Sequence, residues 1–239
     1  MKYVYGPIQS RRLGSSLGIT LTPYKVCSFN CVYCQLGRTG ELTLKRKEYL
    51  SVLGIIEELN TWIKDNPLEA KKLNYITFSG SGEPSLHIGI GELIRKIKKI
   101  IPVPVAVITN ASLVNIPLVR RQLQGADLIV PSLNAATQEI FEKIDRPAKG
   151  IRVRDIIDGL VKLRKEFKGK IWLEIMLVKG VNDDLTHVRK LKEAIDKINP
   201  DSVQLNSPVR ATAESGVCVV DKSKLLKIKE ILGDKCETV

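Results

Sequence analysis

An apolar run followed by a segment with helical spacing recurs six times along this 239-residue chain, and that recurrence limits what it can fold into. The apolar runs fall at 17–23, 75–78, 103–108, 127–133, 171–178 and 202–206. Each has the length of a buried strand and is too short for a helix. The segments after them carry apolar residues near a 3.6 period. In 49–63 these are Leu50, Leu53, Ile55, Ile56, Leu59 and Ile63. Further helices are predicted at 91–100, 117–123, 137–144, 153–167, 185–198 (stopped before Pro200) and 222–232. Strands alternating with helices pack as βαβ units into a parallel sheet. The expected fold class is therefore α/β, closed either as an open doubly wound sheet or as a partial barrel. In both, chemistry collects at the carboxyl ends of the strands.

The length suits one domain over 1–239, with 1–16 as an N-terminal extension and 208–239 as a C-terminal one. Residues 6–14 show neither helical nor strand periodicity. After the last helix comes Cys236-Glu-Thr-Val without evident structure; either a further small domain is missing there or the gene ends. A hydrophobic content of 44% supports a sizeable core. No run of 18 apolar residues argues for a membrane span, and the N-terminus is too polar for a secretory signal. A cytoplasmic location is expected.

The first strand leads directly into Cys27-Ser-Phe-Asn-Cys31-Val-Tyr-Cys34. Three of the five cysteines lie within eight residues. Clustered thiols in a reducing compartment suggest metal binding rather than disulfides. Three ligands complete neither a tetrahedral zinc nor a four-iron cluster. The loop must recruit a fourth ligand or leave one coordination position open. A zinc site would draw on Cys218, Cys236, His87 or His187.

The spacing Cys-x3-Cys-x2-Cys, with Tyr33 before the third cysteine, resembles that of the radical SAM enzymes. The resemblance implies a partial (βα)6 TIM-like barrel. It implies a [4Fe-4S] cluster on Cys27, Cys31 and Cys34, with S-adenosylmethionine chelating the fourth iron. A one-electron reductant of the flavodoxin or ferredoxin type is implied as partner, with reductive cleavage to a 5′-deoxyadenosyl radical that abstracts a hydrogen atom. Strand-end motifs extend the likeness. Gly80-Ser81-Gly82-Glu83-Pro84 is similar to the family's Gly-Gly-Glu-Pro, which holds the methionine end of the cofactor, with serine in place of the first glycine. Asn110, in Thr109-Asn110-Ala111, and the pair Ser132 and Asn134 fall where ribose contacts are expected. Val178 and Val181 fall where adenine is expected.

Within the family, the opening Gly6-Pro7-x-x-Ser10-Arg11-Arg12-Leu13-Gly14 and the Gln35-Leu36-Gly37 after the cysteines resemble compact oxidoreductases related to wyosine-type tRNA-modifying enzymes. The chain has no cysteine before Cys27, where those enzymes carry a second cluster. The net charge is +12, and residues 1–50 hold eight Lys or Arg against two Glu, a net +6. A basic surface there would attract a polyanion such as tRNA. It would equally suit a solvated lysine-rich exterior. Arg11, Arg12, Arg38 and Arg146 are the candidates for substrate phosphate, because guanidinium matches phosphate oxygens. The competing expectations are an activase that makes a glycyl radical, a radical enzyme with a peptide or small-molecule substrate, and a non-enzymatic RNA-binding module carrying zinc or iron–sulfur.

Overall fold

The structure, a computed structural model, describes residues 2–239. Strands β1 (Val4–Ser10) and β2 (Gly14–Ile19) form an antiparallel hairpin. The cysteine segment follows, with two-residue strands β3 (Val26–Cys27) and β4 (Glu41–Leu42) pairing in parallel. Helices α1 (Val52–Asp65) and α2 (Pro67–Ala70) lead to β5 (Tyr75–Phe78). Then come α3 (Ile90–Ile100), β6 (Val105–Thr109), α4 (Pro117–Leu123) and β7 (Leu128–Pro131). Two helices, α5 (Gln138–Ile144) and α6 (Val153–Glu166), precede β8 (Lys170–Met176). The chain continues through α7 (Leu185–Ile198), β9 (Ser202–Asn206), α8 (Lys222–Leu232) and β10 (Cys236–Thr238).

The main sheet has the order β1-β2-β5-β6-β7-β8-β9-β10, parallel throughout except for the first pair. From β2 onward every new strand is added on the same side. Crossovers of one hand that never reverse direction place all their helices on one face. A doubly wound sheet needs a reversal, so the partial barrel is the form adopted, open between β1 and β10 among the described residues.

The strand residues divide by alternation. Ile76, Phe78, Val105, Val107, Ile129, Ile171, Leu173, Val203 and Leu205 face the helices in the main core. The alternate positions line the concave side. There Leu13, Ala106, Leu128 and Val130 make a second, small apolar cluster with Tyr75, Ile108 and Trp172. Polar residues share that side: Ser16 meets Thr77, and Glu174 lies beside Gln204 and Asn206. Side-chain oxygens of caps help fix where helices start. Ser51 accepts from the Gly54 N–H at α1, and Asp184 accepts from Thr186 and His187 at α7. Asn199 ends α7 in the left-handed conformation (φ 51°), ahead of Pro200.

The two segments expected to lie outside the regular structure extend the sheet at both edges. β1 was hidden by Gly6-Pro7, where its pairing register slips against β2. A proline inside a strand is tolerated at a sheet edge, where its missing N–H costs no ladder bond. β10 consists of Cys236-Glu-Thr, too short to show alternation, and pairs with β9. β2, expected at 17–23, starts and ends earlier, at 14–19, because the chain leaves the sheet for the cysteine loop after Ile19. No helix is long and apolar enough to cross a membrane among the described residues.

Candidate cluster and cofactor site

The cysteine loop leaves β2 at the carboxyl end of the parallel strands and rests on the loops that follow β5, β6, β7 and α5. Lys25 N–H donates to the Ser81 carbonyl at 2.6 Å, and Glu83 N–H donates to Val26 O at 3.3 Å. Asn110 Nδ2 donates to Ser28 Oγ at 2.8 Å. Asn134 Nδ2 donates to the Tyr33 hydroxyl at 2.7 Å, and Val32 N–H to Ile144 O at 2.9 Å. Beyond β9 the chain returns over the loop, where Glu214 N–H donates to Val32 O at 3.2 Å. The loop is thus held by most strand ends of the sheet.

Cys27, Cys31 and Cys34 are all free and half-buried. Burial pushes the Cys27 thiol up to about 12, helped by the nearby Glu83 carboxylate and Cys34. Cys31 is pushed well above its usual range by burial, then by Asp145 and Cys27. Both shifts favour the protonated thiols of Cys27 and Cys31, so loading a metal there releases protons. Among the described residues no three His, Cys, Asp or Glu side chains converge as they would on one metal ion. A four-iron cluster needs no such convergence, since each thiolate takes its own iron. Of the proposed fourth zinc ligands, His87 is engaged elsewhere and Cys218 is exposed on the segment that follows β9. Both ring nitrogens of His87 are used, by Leu50 O at 2.7 Å and Gly89 N–H at 2.9 Å. Cys236 is buried in β10 and His187 in α7. The donor set fits a cluster with one iron left open.

Beside the cysteines lies Gly80-Ser81-Gly82-Glu83. Gly80 adopts φ +104°, which favours glycine. Gly82 has a different reason: a Cβ there would lie 1.8 Å from the Val26 carbonyl oxygen. The glycine-rich run therefore serves first to let two loops touch. Glu83 is 1% exposed. One oxygen accepts from Ser85 N–H at 2.9 Å and Thr109 Oγ1 at 2.6 Å, the other from Asn110 N–H at 2.7 Å. Burial raises its pKa, and those donors work against the rise. A carboxylate has about four acceptor sites, so these three donors leave one of them unfilled.

The remaining expected contacts divide. Ser132 is half-buried, and its hydroxyl makes one long bond, 3.4 Å to Glu174 Oε2. It can still turn to a ribose. Asn134 is 2% exposed. Its amide donates to the Tyr33 hydroxyl and Asp145 and accepts from Met176 N–H at 2.8 Å. It ties the β7 and β8 ends to the cysteine loop, which corrects its reading as a ribose ligand. Asn110 likewise turns toward the cysteine loop, with Nδ2 3.6 Å from Cys27 Sγ. Val178 is buried, its N–H held by Asn182 Oδ1 at 2.8 Å, whereas Val181 is half-buried on the same loop.

The arginines separate into two groups. Arg38 and Arg146 stand at the rim of the cysteine loop, and both bond Glu214, at 3.3 and 2.5 Å. Arg11 and Arg12 lie in the β1–β2 turn, at the amino ends of the parallel strands. Arg12 reaches into the concave side and pairs with Glu174 Oε1 at 2.7 Å. Arg11 and Arg12 border a polar cavity with Lys170, Trp172, Asp201 and Ser202. Their reading as substrate residues beside the cysteines is corrected by topology, since a hairpin turn at the start of β2 is at the opposite end from the loop that ends it. Lys25, Asp145, Glu174 and Asn182 were not singled out from sequence. Lys25 lies two residues before Cys27, and Asp145 and Asn182 lie in segments that resemble the family's strand connections, whereas Glu174 carried no local signal.

Residues 21–191 match the radical SAM superfamily. The chain belongs to that superfamily. Radical SAM proteins use a [4Fe-4S] cluster and S-adenosylmethionine, and the expectation of a non-enzymatic module is thereby overturned. A UPF0026 protein of Synechocystis sp. is 38% identical over 208 residues, covering 87% of this chain and 76% of its own length. The GTPase Obg of Brachyspira hyodysenteriae is 40% identical over 235 residues, 98% of this chain but 34% of that protein. The chain contains no Gly-x4-Gly-Lys-Ser/Thr phosphate loop, so that match brings no GTPase site with it. A probable dual-specificity RNA methyltransferase RlmN of Prochlorococcus marinus is 31% identical over 183 residues, 71% of this chain and 49% of its own. The chain thus spans only about a third of the Obg relative and about half of RlmN. Two solved structures share the fold. One is a radical SAM methyltransferase from Sphaerobacter thermophilus (TM-score 0.72, 17% identity, 94% of this chain and 65% of that one). The other is TYW1 with a lysine-pyruvate adduct bound (TM-score 0.67, 20% identity, 91% and 72%).

Proposed function

We propose that this radical SAM enzyme acts on a base in RNA, with tRNA as the first substrate to test. The observation that carries the reading is the pair of guanidiniums, Arg38 and Arg146, at the rim of the cysteine loop, on the side where the cofactors bind. Guanidiniums in that position suit the phosphates that flank a base presented to the cluster. The RNA methyltransferase among the relatives agrees with this class of substrate.

Cys27, Cys31 and Cys34 hold the cluster, which when bound supplies the electron for reductive cleavage of S-adenosylmethionine. The Gly80–Gly82 backbone and the free acceptor site of Glu83 bind the methionine ammonium. Ser132 serves the ribose, and Val178 and Val181 serve the adenine. Asn110, Tyr33 and Asn134 keep the cysteine loop in register with the cofactor loops. A flavodoxin- or ferredoxin-type protein delivers the electron. Five free cysteines suit a reducing cytoplasm.

Protein reconstituted without oxygen is expected to hold about four iron per chain and to release 5′-deoxyadenosine when reduced. Digested tRNA from cells with and without the gene should differ by one modified nucleoside. Unchanged nucleosides in all RNA classes, together with RNA binding indifferent to salt, would remove RNA as the substrate.

A further inference from the structure

Lys25 is the buried cation that the expected chemistry did not use. Its side chain is 5% exposed. Nζ donates to Cys34 Sγ at 3.2 Å and to the Gly37 carbonyl at 2.5 Å. None of the ion pairs among the described residues includes it. The other buried Lys or Arg among the described residues, Arg120, is paired with Glu166 at 2.9 Å. Burying a charge without a counter-charge is costly, and the two acceptors that Lys25 has, a cysteine sulfur and one carbonyl, include no carboxylate.

The backbone at this position is also fixed. Lys25 has φ 62°, a left-handed conformation that non-glycine residues seldom adopt. It is held there by its N–H on Ser81 O and by its own carbonyl, which accepts from Gly40 and Glu41 N–H at 3.1 Å each. Strain kept in place by several bonds points to a local demand on the side chain it aims.

We propose that Lys25 is a positioning residue for the cluster: its ammonium is the counter-charge to the thiolate-bound iron–sulfur centre and raises the reduction potential of that centre through Cys34. This rests on Cys27, Cys31 and Cys34 holding a [4Fe-4S] cluster. Three thiolates give the oxidised centre one negative charge and the reduced centre two, so a nearby cation favours the reduced form. Hydrogen bonds to cluster sulfurs act in the same direction. The electron itself comes from the external one-electron donor.

The test is a potentiometric titration followed by electron paramagnetic resonance, with dithionite as reductant and redox dyes as mediators. It compares the wild-type protein with Lys25→Met, Lys25→Gln and Lys25→Arg, each checked for iron content. Lys25→Met should keep its iron and lose about tenfold in the equilibrium constant for one-electron reduction, a fall of about 59 mV. Lys25→Gln should fall between, and Lys25→Arg should stay near wild type. An unchanged potential in an iron-replete Lys25→Met protein overturns the proposal. If the neutral variants lose iron while Lys25→Arg keeps it, the counter-charge role is supported. If Lys25→Arg loses it as well, the role is one of shape and the proposal falls. A wild-type protein without iron would instead defeat the cluster reading itself.

Discussion

At Gly82 a single hydrogen atom in place of a methyl group lets the loop after β5 close on the loop that carries the cysteines. Because the Val26 carbonyl occupies the space a Cβ would need, Gly82→Ala has to push the two loops apart. We expect a loss of about 3 kcal/mol in denaturant unfolding, the upper part of the overpacking range, and a lower iron content after reconstitution. The two cysteines outside the loop differ in the same local way. Cys218 is exposed, whereas Cys236 is 1% exposed and burial pushes its thiol up to about 11. A thiolate-selective reagent should label Cys218 in the folded protein and reach Cys236 only on unfolding, as peptide mapping would show. Glu83, Asn110 and Asn134 have a common lesson. Polar residues at strand ends can be found in the sequence, but whether each faces a ligand or a neighbouring loop depends on partners from other elements, such as Thr109 for Glu83 at a separation of 26.

Among the elements, β1 depends on one side chain from α1. The N–H groups of Lys2, Tyr3 and Val4 all donate to the Glu58 carboxylate, at 2.8 to 3.0 Å. Partial burial works to raise the Glu58 pKa, but these donors outweigh it and hold the carboxyl below its ordinary value. A depressed carboxylate contributes stability that is present above the unfolded value near 4.5 and is lost as pH falls through the lower folded value. Glu58→Ala should therefore cost about 1–2 kcal/mol at pH 7 and close to nothing in acid below both values. Amide exchange of residues 3–5 at neutral pH would register the freed edge. The helices were legible because their apolar faces repeat over several turns, and α4, α7 and α8 match the expected bounds. β1 and β10 were not, because Gly6-Pro7 interrupts the pattern of the one and the other has only three residues.

For the molecule as a whole, the decisive geometry is the distance between the two ends of the barrel. The charge of +6 in the first fifty residues looked like one basic patch around the cysteines. Folding divides it: Arg11 and Arg12 go to the amino end of the strands, Lys25 is buried against Cys34, and Arg38 remains at the rim with Arg146. If RNA binds at the carboxyl end, Arg38→Ala and Arg146→Ala should each weaken it and lower the salt slope by about one. Arg11→Ala should leave both unchanged. Filter-binding titrations across a salt series decide the matter, and equal losses at Arg11 would contradict the placement.

The sequence by itself determined the strand–helix alternation and the three clustered thiols, because periodicity and spacing are local and survive in any fold of the chain; the chemistry those thiols serve was implied by the resemblance to the radical SAM enzymes. Only the tertiary structure decided between the two closures, through a strand order that never reverses. It alone decided which end of the sheet each arginine occupies and which polar groups remain free. Those outcomes depend on contacts between residues far apart in the chain, such as Arg12 with Glu174, 162 positions on. The burial of Lys25 belongs to the same class, since its charge is written in the sequence while its lack of any carboxylate partner is a property of the fold.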